Sequence, residues 1–392
     1  MSATFRDFTT DDAVSFAAAS LSRVASEPVA IKDIRDLGGE QRRNLIVRAV
    51  AHSSSGDRRN IVIKATRAAD YDARSADVIA RGGIAREWAA ACVLGQPGTS
   101  SATCLAGDTA AGVMVFADLG ADAPWLATPL LDGSAAEAEA ALLAYAVSLG
   151  RLHAATVDCQ RTYAACVRAA YPLARVPVAI DETWLARAAG IGPSRLGGVL
   201  PEAELAVLLQ CMPDPGPWLA LVHGDPCPDN VLLTGQGAAL LDFEFAAPGH
   251  ALIDATYWRM GFPTCWCAGR VPDAVAERVE QAYRDVLAVA IPQAGETAVF
   301  RREYALAMAV HLFASLERHL DTALTADDHW GRASIRNRIL WHLQAATEAM
   351  ERAAMLPELN RLAQAWLAEL RDRWANVPAL SVFPAFATSQ HA

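Results

Sequence analysis

Residues 221–242 read LVHGDPCPDNVLLTGQGAALLD, and three of them set the reading of the whole chain. Asp225, Asn230 and Asp242 have the residue types and spacing of a phosphoryl-transfer centre. Such a centre needs one carboxylate to orient and accept a hydroxyl proton, and two oxygen ligands for a divalent cation. Asp225 takes the first role; Asn230 and Asp242 take the second, as ligands for Mg²⁺.

The flanking residues predict how these groups are held. Leu221-Val222 ends an apolar run, while Val231-Leu232-Leu233 and Ala238-Ala239-Leu240-Leu241 are short apolar segments split by Thr234-Gly235-Gln236-Gly237. This reads as a loop followed by a β-hairpin, with Asp242 at the end of the second strand. The hairpin is expected to bring Asn230 and Asp242 together.

His223-Gly224-Asp225, Asn230 and Asp242-Phe243-Glu244 resemble the aminoglycoside phosphotransferase and choline kinase family. Its loop commonly runs His-Gly-Asp with a following Asn, and its second motif is often Asp-Phe-Gly or Asp-Phe-Glu. Pro226, Cys227 and Asp229 stand where the aminoglycoside enzymes often carry Leu, His and Gly, so the resemblance weakens on the acceptor side. It implies an α+β, protein-kinase-like fold of two lobes: a small β-rich lobe over residues 1–116 that binds nucleotide, and a large, mainly helical lobe over 117–392. The cofactors implied are ATP, or another nucleoside triphosphate, and Mg²⁺.

Upstream, Thr9-Thr10-Asp11-Asp12 has a capping-box pattern before an apolar-periodic run, predicting a helix over 11–25. Val29–Ile34, Leu45–Val50 and Ile61–Lys64 read as strands around Leu37-Gly38-Gly39-Glu40 and the polar turn Ser53–Asp57. Gly38, Gly39 and Asn44 resemble the family's nucleotide-covering loop, although a plain hairpin turn explains a glycine pair equally well. Lys64 closes a strand and Glu87 follows in a helical run from Ile84 to Leu94. A Lys held by a helix Glu orients the α- and β-phosphates of ATP in such folds. Val115, Phe116 and Ala117 occupy the segment where the family joins its lobes, and adenine is expected to dock there on backbone groups.

Beyond Ala135 the pattern is helical, first to Thr156 and then over about 200–211, 273–290, 297–322, 328–353 and 357–375. His153, on an apolar helix, and His223, beside Asp225, read as hydrogen-bonding supports. The resemblance gives Asp254 the same standing, tying its helix to the catalytic loop. The role of Glu244 stays open between metal, acceptor and loop.

Composition bounds the classes. The 392 residues are 53% hydrophobic, enough for a large core. Net charge is −10, which disfavours nucleic-acid partners and is compatible with a cationic acceptor. The chain carries no apolar run of membrane-spanning length, and MSATFRDFTTDDAV lacks the pattern of a secretory leader, so a cytoplasmic protein without membrane contact is expected. Eight cysteines without such a leader predict reduced thiols. Cys265-Trp266-Cys267, with Cys227, reads as part of the acceptor cleft rather than as a zinc site, because paired Cys-x-x-Cys spacings are missing.

Three functions compete: a kinase for a small-molecule hydroxyl, a kinase for a peptide or protein hydroxyl, and a nucleotide-binding module without catalysis. The first gains from the short stretch between Asp242 and the next helical segment, which leaves no room for an activation loop. Retention of Lys64, Asp225, Asn230 and Asp242 disfavours the third. Oligomeric state is not legible.

Overall fold

A computed structural model describes residues 6–38, 43–81, 83–95 and 100–387. Two compact units emerge: Met1–Ala123 with Cys159–Pro177 and Leu241–Ala247, and Pro124–Asp158 with Val178–Leu240 and Pro248–Ala392. The expected α+β class, β-rich at the N-terminus and then mainly helical, is what the chain forms.

The first unit is built on one antiparallel sheet of β1 (Val29–Asp36), β2 (Asn44–Ser53), β3 (Arg58–Thr66), β4 (Cys104–Asp108) and β5 (Val113–Ala117), in the order β1-β2-β3-β5-β4. Strand periodicity assigns the faces. Leu45, Val47, Ala49 and Ala51 of β2 and Ile61, Ile63 and Ala65 of β3 bury toward one core. The Thr10–Ala25 helix covers that face with Ala13 and Ala17, whose small side chains let its backbone approach the sheet. Its N-terminus carries the predicted capping box: Thr9 accepts from the Asp12 N–H, and the Asp12 carboxylate accepts from the Thr9 N–H. Lys64, between Ile63 and Ala65, is thereby turned to the opposite face.

Strand β4 was not anticipated, because Cys104-Leu105-Ala106-Gly107 gives little alternation to read. It forms through tertiary packing. A Cβ on Gly107 would lie 2.3 Å from Trp88 Cζ3, so glycine is what lets the strand pass the Gly83–Leu94 helix.

In the second unit the Ala135–Ala155 helix starts at a capping box of Ser134 and Glu137 and packs on the Asp273–Leu287 helix. The Thr297–Thr325 and Ile335–Ala353 helices pack against each other, and Pro357–Arg373 lies against the latter. The helix expected from residue 328 begins only at Ile335. A small hairpin of His329–Trp330 and Ala333–Ser334 precedes it, turning at Gly331 with φ +64°, and Ser334 caps the helix through the Asn337 N–H. Among the described residues no single helix is long and apolar enough to cross a membrane.

The expectation of eight reduced thiols is corrected here. Cys227 and Cys265 form a disulfide, 38 residues apart in sequence with a Cα separation of 5.7 Å. Proximity created by folding, which spacing does not reveal, decides the pair.

Two histidines of this unit, His342 buried and His311 half-buried, make its stability pH-dependent. Burial pushes His311, bonded to the Ile253 carbonyl at 3.0 Å, down to about 4, and His342, bonded to Ser315 at 2.6 Å, well below its usual range. Between about pH 6.5 and 4 the unfolded chain binds protons that the folded histidines refuse, so stability falls as pH falls through that window. At about 1.4 kcal/mol per pH unit, His311 alone accounts for a loss on the order of 3 kcal/mol across it. Denaturant unfolding at pH 7 and pH 4.5 measures this; equal midpoints and slopes at both would exclude neutral burial of these rings.

Candidate active site

The residues singled out from the sequence fall into two sets, one in each unit. In the first unit, β3 pairs with β2 and β5 so that Lys64 lies opposite Ile46 on one side and Met114 on the other. Lys64 Nζ donates to Glu87 Oε2 at 2.5 Å and to Asp242 Oδ1. Lys64 and Glu87 are both buried. Burial by itself would lower the lysine pKa, but the Glu87 and Asp242 carboxylates outweigh it and raise the pKa, so the ammonium stays charged. A buried cation between two acids is oriented as well as charged.

Asp242 holds a φ of +63°, in the left-handed region that a residue with a Cβ adopts at a cost of about 1–3 kcal/mol. Glu244, two residues on, is buried; it accepts from Arg43 Nη2 and from Asn44 Nδ2, the latter at 3.3 Å. A Cβ on Gly83 would stand 2.5 Å from the Glu244 Cβ, so the first residue of the Gly83–Leu94 helix must be small for this acid to fit. Glu244 therefore ties the Asp242-Phe243-Glu244 segment to the start of β2. That contact answers part of the open question about its role.

Gly38 donates its N–H to Asp36 Oδ1 at 2.7 Å, while Gly39 lies outside the described residues. Asn44, at the head of β2, is engaged by Glu244. Val115 is fully buried in β5, with Phe116 and Ala117 half-buried. The Ala117 N–H bonds the Thr103 carbonyl and the Asp118 N–H bonds that of Asn60. Those two donors belong to the sheet.

In the second unit, the strand Leu219–Val222 leads into the loop of Asp225 and Asn230, and the hairpin strands Val231–Thr234 and Gly237–Leu240 follow with Gly235-Gln236 at the turn. Asp254, fully buried, shapes the loop by accepting from the His223 N–H at 2.6 Å and the Gly224 N–H at 3.0 Å. His153 Nε2 lies 3.1 Å from the same carboxylate, and its Nδ1 lies 2.8 Å from the Tyr283 hydroxyl. Burial alone would push the Asp254 carboxyl up; the hydrogen bonds from His153 and the His223 N–H outweigh it and hold the carboxyl low. His223 Nδ1 accepts from the Asp225 N–H at 3.3 Å, so both histidines serve the loop's shape.

Asn230 Nδ2 donates to the Asp225 carbonyl at 2.9 Å and to Asp225 Oδ2 at 3.3 Å. The amide nitrogen is thus engaged by Asp225. Sequence reading missed Thr264, whose Oγ1 donates to Asp225 Oδ1 at 2.5 Å, and Tyr257, whose hydroxyl donates to the Gly224 carbonyl at 3.0 Å. Neither lies in a motif that could have marked it. Cys227 Sγ, Cys265 Sγ and a carboxylate oxygen of Asp229 lie within 4.8 Å of one another, but paired sulfurs carry no thiolate, so this group is no zinc centre.

Comparison with known proteins adds the family. A choline/ethanolamine kinase family protein from Mesorhizobium loti is similar over 86% of this chain and 92% of its own, at 19% identity and a TM-score of 0.38. The choline kinase LicA of Streptococcus pneumoniae is 13% identical over 81% of this chain and 94% of its own, with a TM-score of 0.41. An ethanolamine kinase of Plasmodium vivax is 11% identical over 83% of each chain, with a TM-score of 0.47. No curated protein matches the sequence. The model of the phosphotransferase enzyme family matches residues 86–292, more than half of the chain. Since that span takes in Glu87, the Asp225–Asn230 loop, Asp242 and Asp254, the chain belongs to the phosphotransferase enzyme family.

Proposed function

We propose that this protein transfers the γ-phosphate of Mg-ATP to a hydroxyl of a small molecule that carries a cationic group. The observation that carries the transfer is the buried Lys64 ammonium held between Glu87 and Asp242. A buried, oriented cation beside a strained carboxylate suits polyphosphate and its metal better than it suits a structural core. Asp242 offers a carboxylate oxygen and Asn230 an amide oxygen, donors of the kind a hard divalent cation such as Mg²⁺ takes. When bound, that ion neutralises charge on the β- and γ-phosphates.

The chain's own groups do the rest. Lys64 steadies the α- and β-phosphates, Glu87 holds Lys64, and Asp225 orients the acceptor hydroxyl and takes its proton. Trp266, 41% exposed, donates its indole N–H to Asp229 Oδ2 at 2.9 Å, four residues beyond Asp225 in the same loop. A carboxylate beside an exposed indole suits an ammonium group, by charge and by cation–π attraction. The net charge of −10 has the same sign of preference.

The test is transfer from γ-labelled ATP to a panel of amino alcohols, aminoglycosides, neutral sugars and Ser/Thr peptides. Label should enter amine-bearing alcohols and require a divalent cation. Labelling of peptides alone, or of neutral sugars alone, would replace the acceptor class, and no labelling of any acceptor would sink the transfer itself.

A further inference from the structure

We infer that Thr264 is a positioning residue for the base Asp225, fixing the carboxylate rotation that phosphoryl transfer requires; this rests on the reading of Asp225 given above. A carboxylate turns about its Cβ–Cγ bond in a broad, shallow well, so a base on a loop is aimed only if its oxygens are held. Thr264 Oγ1 donates to Oδ1 at 2.5 Å, and Asn230 Nδ2 donates to Oδ2 at 3.3 Å. The first is a short hydroxyl-to-carboxylate bond, of the stronger class. Cys227 Sγ lies 3.0 Å from the same Oδ1, but a disulfide sulfur has no proton to give.

Thr264 is itself held from several directions. The Cys227–Cys265 disulfide ties its next residue to the catalytic loop. Arg338, fully buried, donates to the carbonyls of Pro263 and Cys265 at 3.3 and 2.8 Å, on either side of Thr264. The Arg332 N–H bonds the Trp266 carbonyl at 2.8 Å. Tyr257, whose phenol burial keeps protonated, stands 3.1 Å from Thr264 Oγ1 and holds the Gly224 carbonyl. A side chain fixed through its backbone neighbours on both sides is preorganised, as a group that sets the aim of a base must be. Residue 264 lies 39 positions from Asp225, so no local motif announces it.

Thr264→Val keeps the shape and removes the donor; Thr264→Ser keeps the donor. With an acceptor found in the panel above, the Val variant should lose about 10- to 100-fold in kcat while the KM for ATP stays within about twofold, and Ser should restore kcat to within about threefold. A Val variant with wild-type kcat, or a Ser variant as slow as Val, overturns the inference. A second measurement does not depend on turnover. In the full chain with labelled threonine methyls, the Thr264 γ-methyl resonance should move in Asp225→Asn while that of the remote Thr347 stays in place. An unmoved Thr264 resonance overturns the contact itself, whereas a moved one in a protein that phosphorylates nothing supports the contact and removes only the phosphotransfer reading.

Discussion

Asp225→Asn is expected to lower kcat for phosphoryl transfer by about 10²–10⁴ while nucleotide affinity stays close to that of the unaltered protein. The amide has the size of the carboxylate, so one of the two donors, Thr264 on Oδ1 or Asn230 on Oδ2, still has an oxygen to meet. What is lost is the group that can accept a proton, together with the charge that draws the acceptor hydroxyl inward. The loop itself should persist, because its shape depends on Asp254, which bonds the N–H groups of His223 and Gly224 rather than the Asp225 side chain. Steady-state kinetics on a folded variant, with calorimetry of nucleotide binding beside it, read both quantities. A kcat within a few-fold of wild type would return Asp225 to the scaffold.

Asp242→Ala should remove the Mg²⁺-dependent part of ATP binding and lower kcat/KM by about 10³ or more, since in the function proposed above this carboxylate is a metal ligand as well as the partner of Lys64. Two effects reinforce each other. The metal loses its charged ligand, and Lys64 loses one of the two acids that keep it charged and aimed. The fold should survive, because Glu87 still pairs the buried ammonium at 2.5 Å. Calorimetry of ATP with and without Mg²⁺ isolates the metal term. Equal tightening by Mg²⁺ in variant and wild type would dismiss Asp242 as a ligand.

Legibility followed sequence distance. The helix starts at Thr9 and Ser134 were readable because a capping box closes within three residues. The hairpin after Asn230 was readable because turn residues separate two apolar segments, and its strands pair Val231 with Leu240 through Thr234 with Gly237. Lys64 and Glu87 were readable as a pair because a strand end followed by a helix is a recurrent order, and the bond between them forms. Strand β4 and the small hairpin around Gly331 were not, since both form against neighbours distant in sequence: Gly107 under Trp88, and Gly331 against the Trp266 carbonyl.

The chain by itself determined its fold class and the order of its chemistry: a cation on a strand, an acid on a helix, then Asp225, Asn230 and Asp242 around one loop and hairpin. Those features rest on periodicity, capping and turns, whose hydrogen bonds close over a few residues. Only the tertiary structure decided what holds these groups. It brought Thr264 onto Asp225 across 39 residues, paired Cys227 with Cys265 across 38, and set Arg43 on Glu244 across 201. Such contacts depend on how helices and strands pack, and packing is a property of the whole core rather than of any window of sequence.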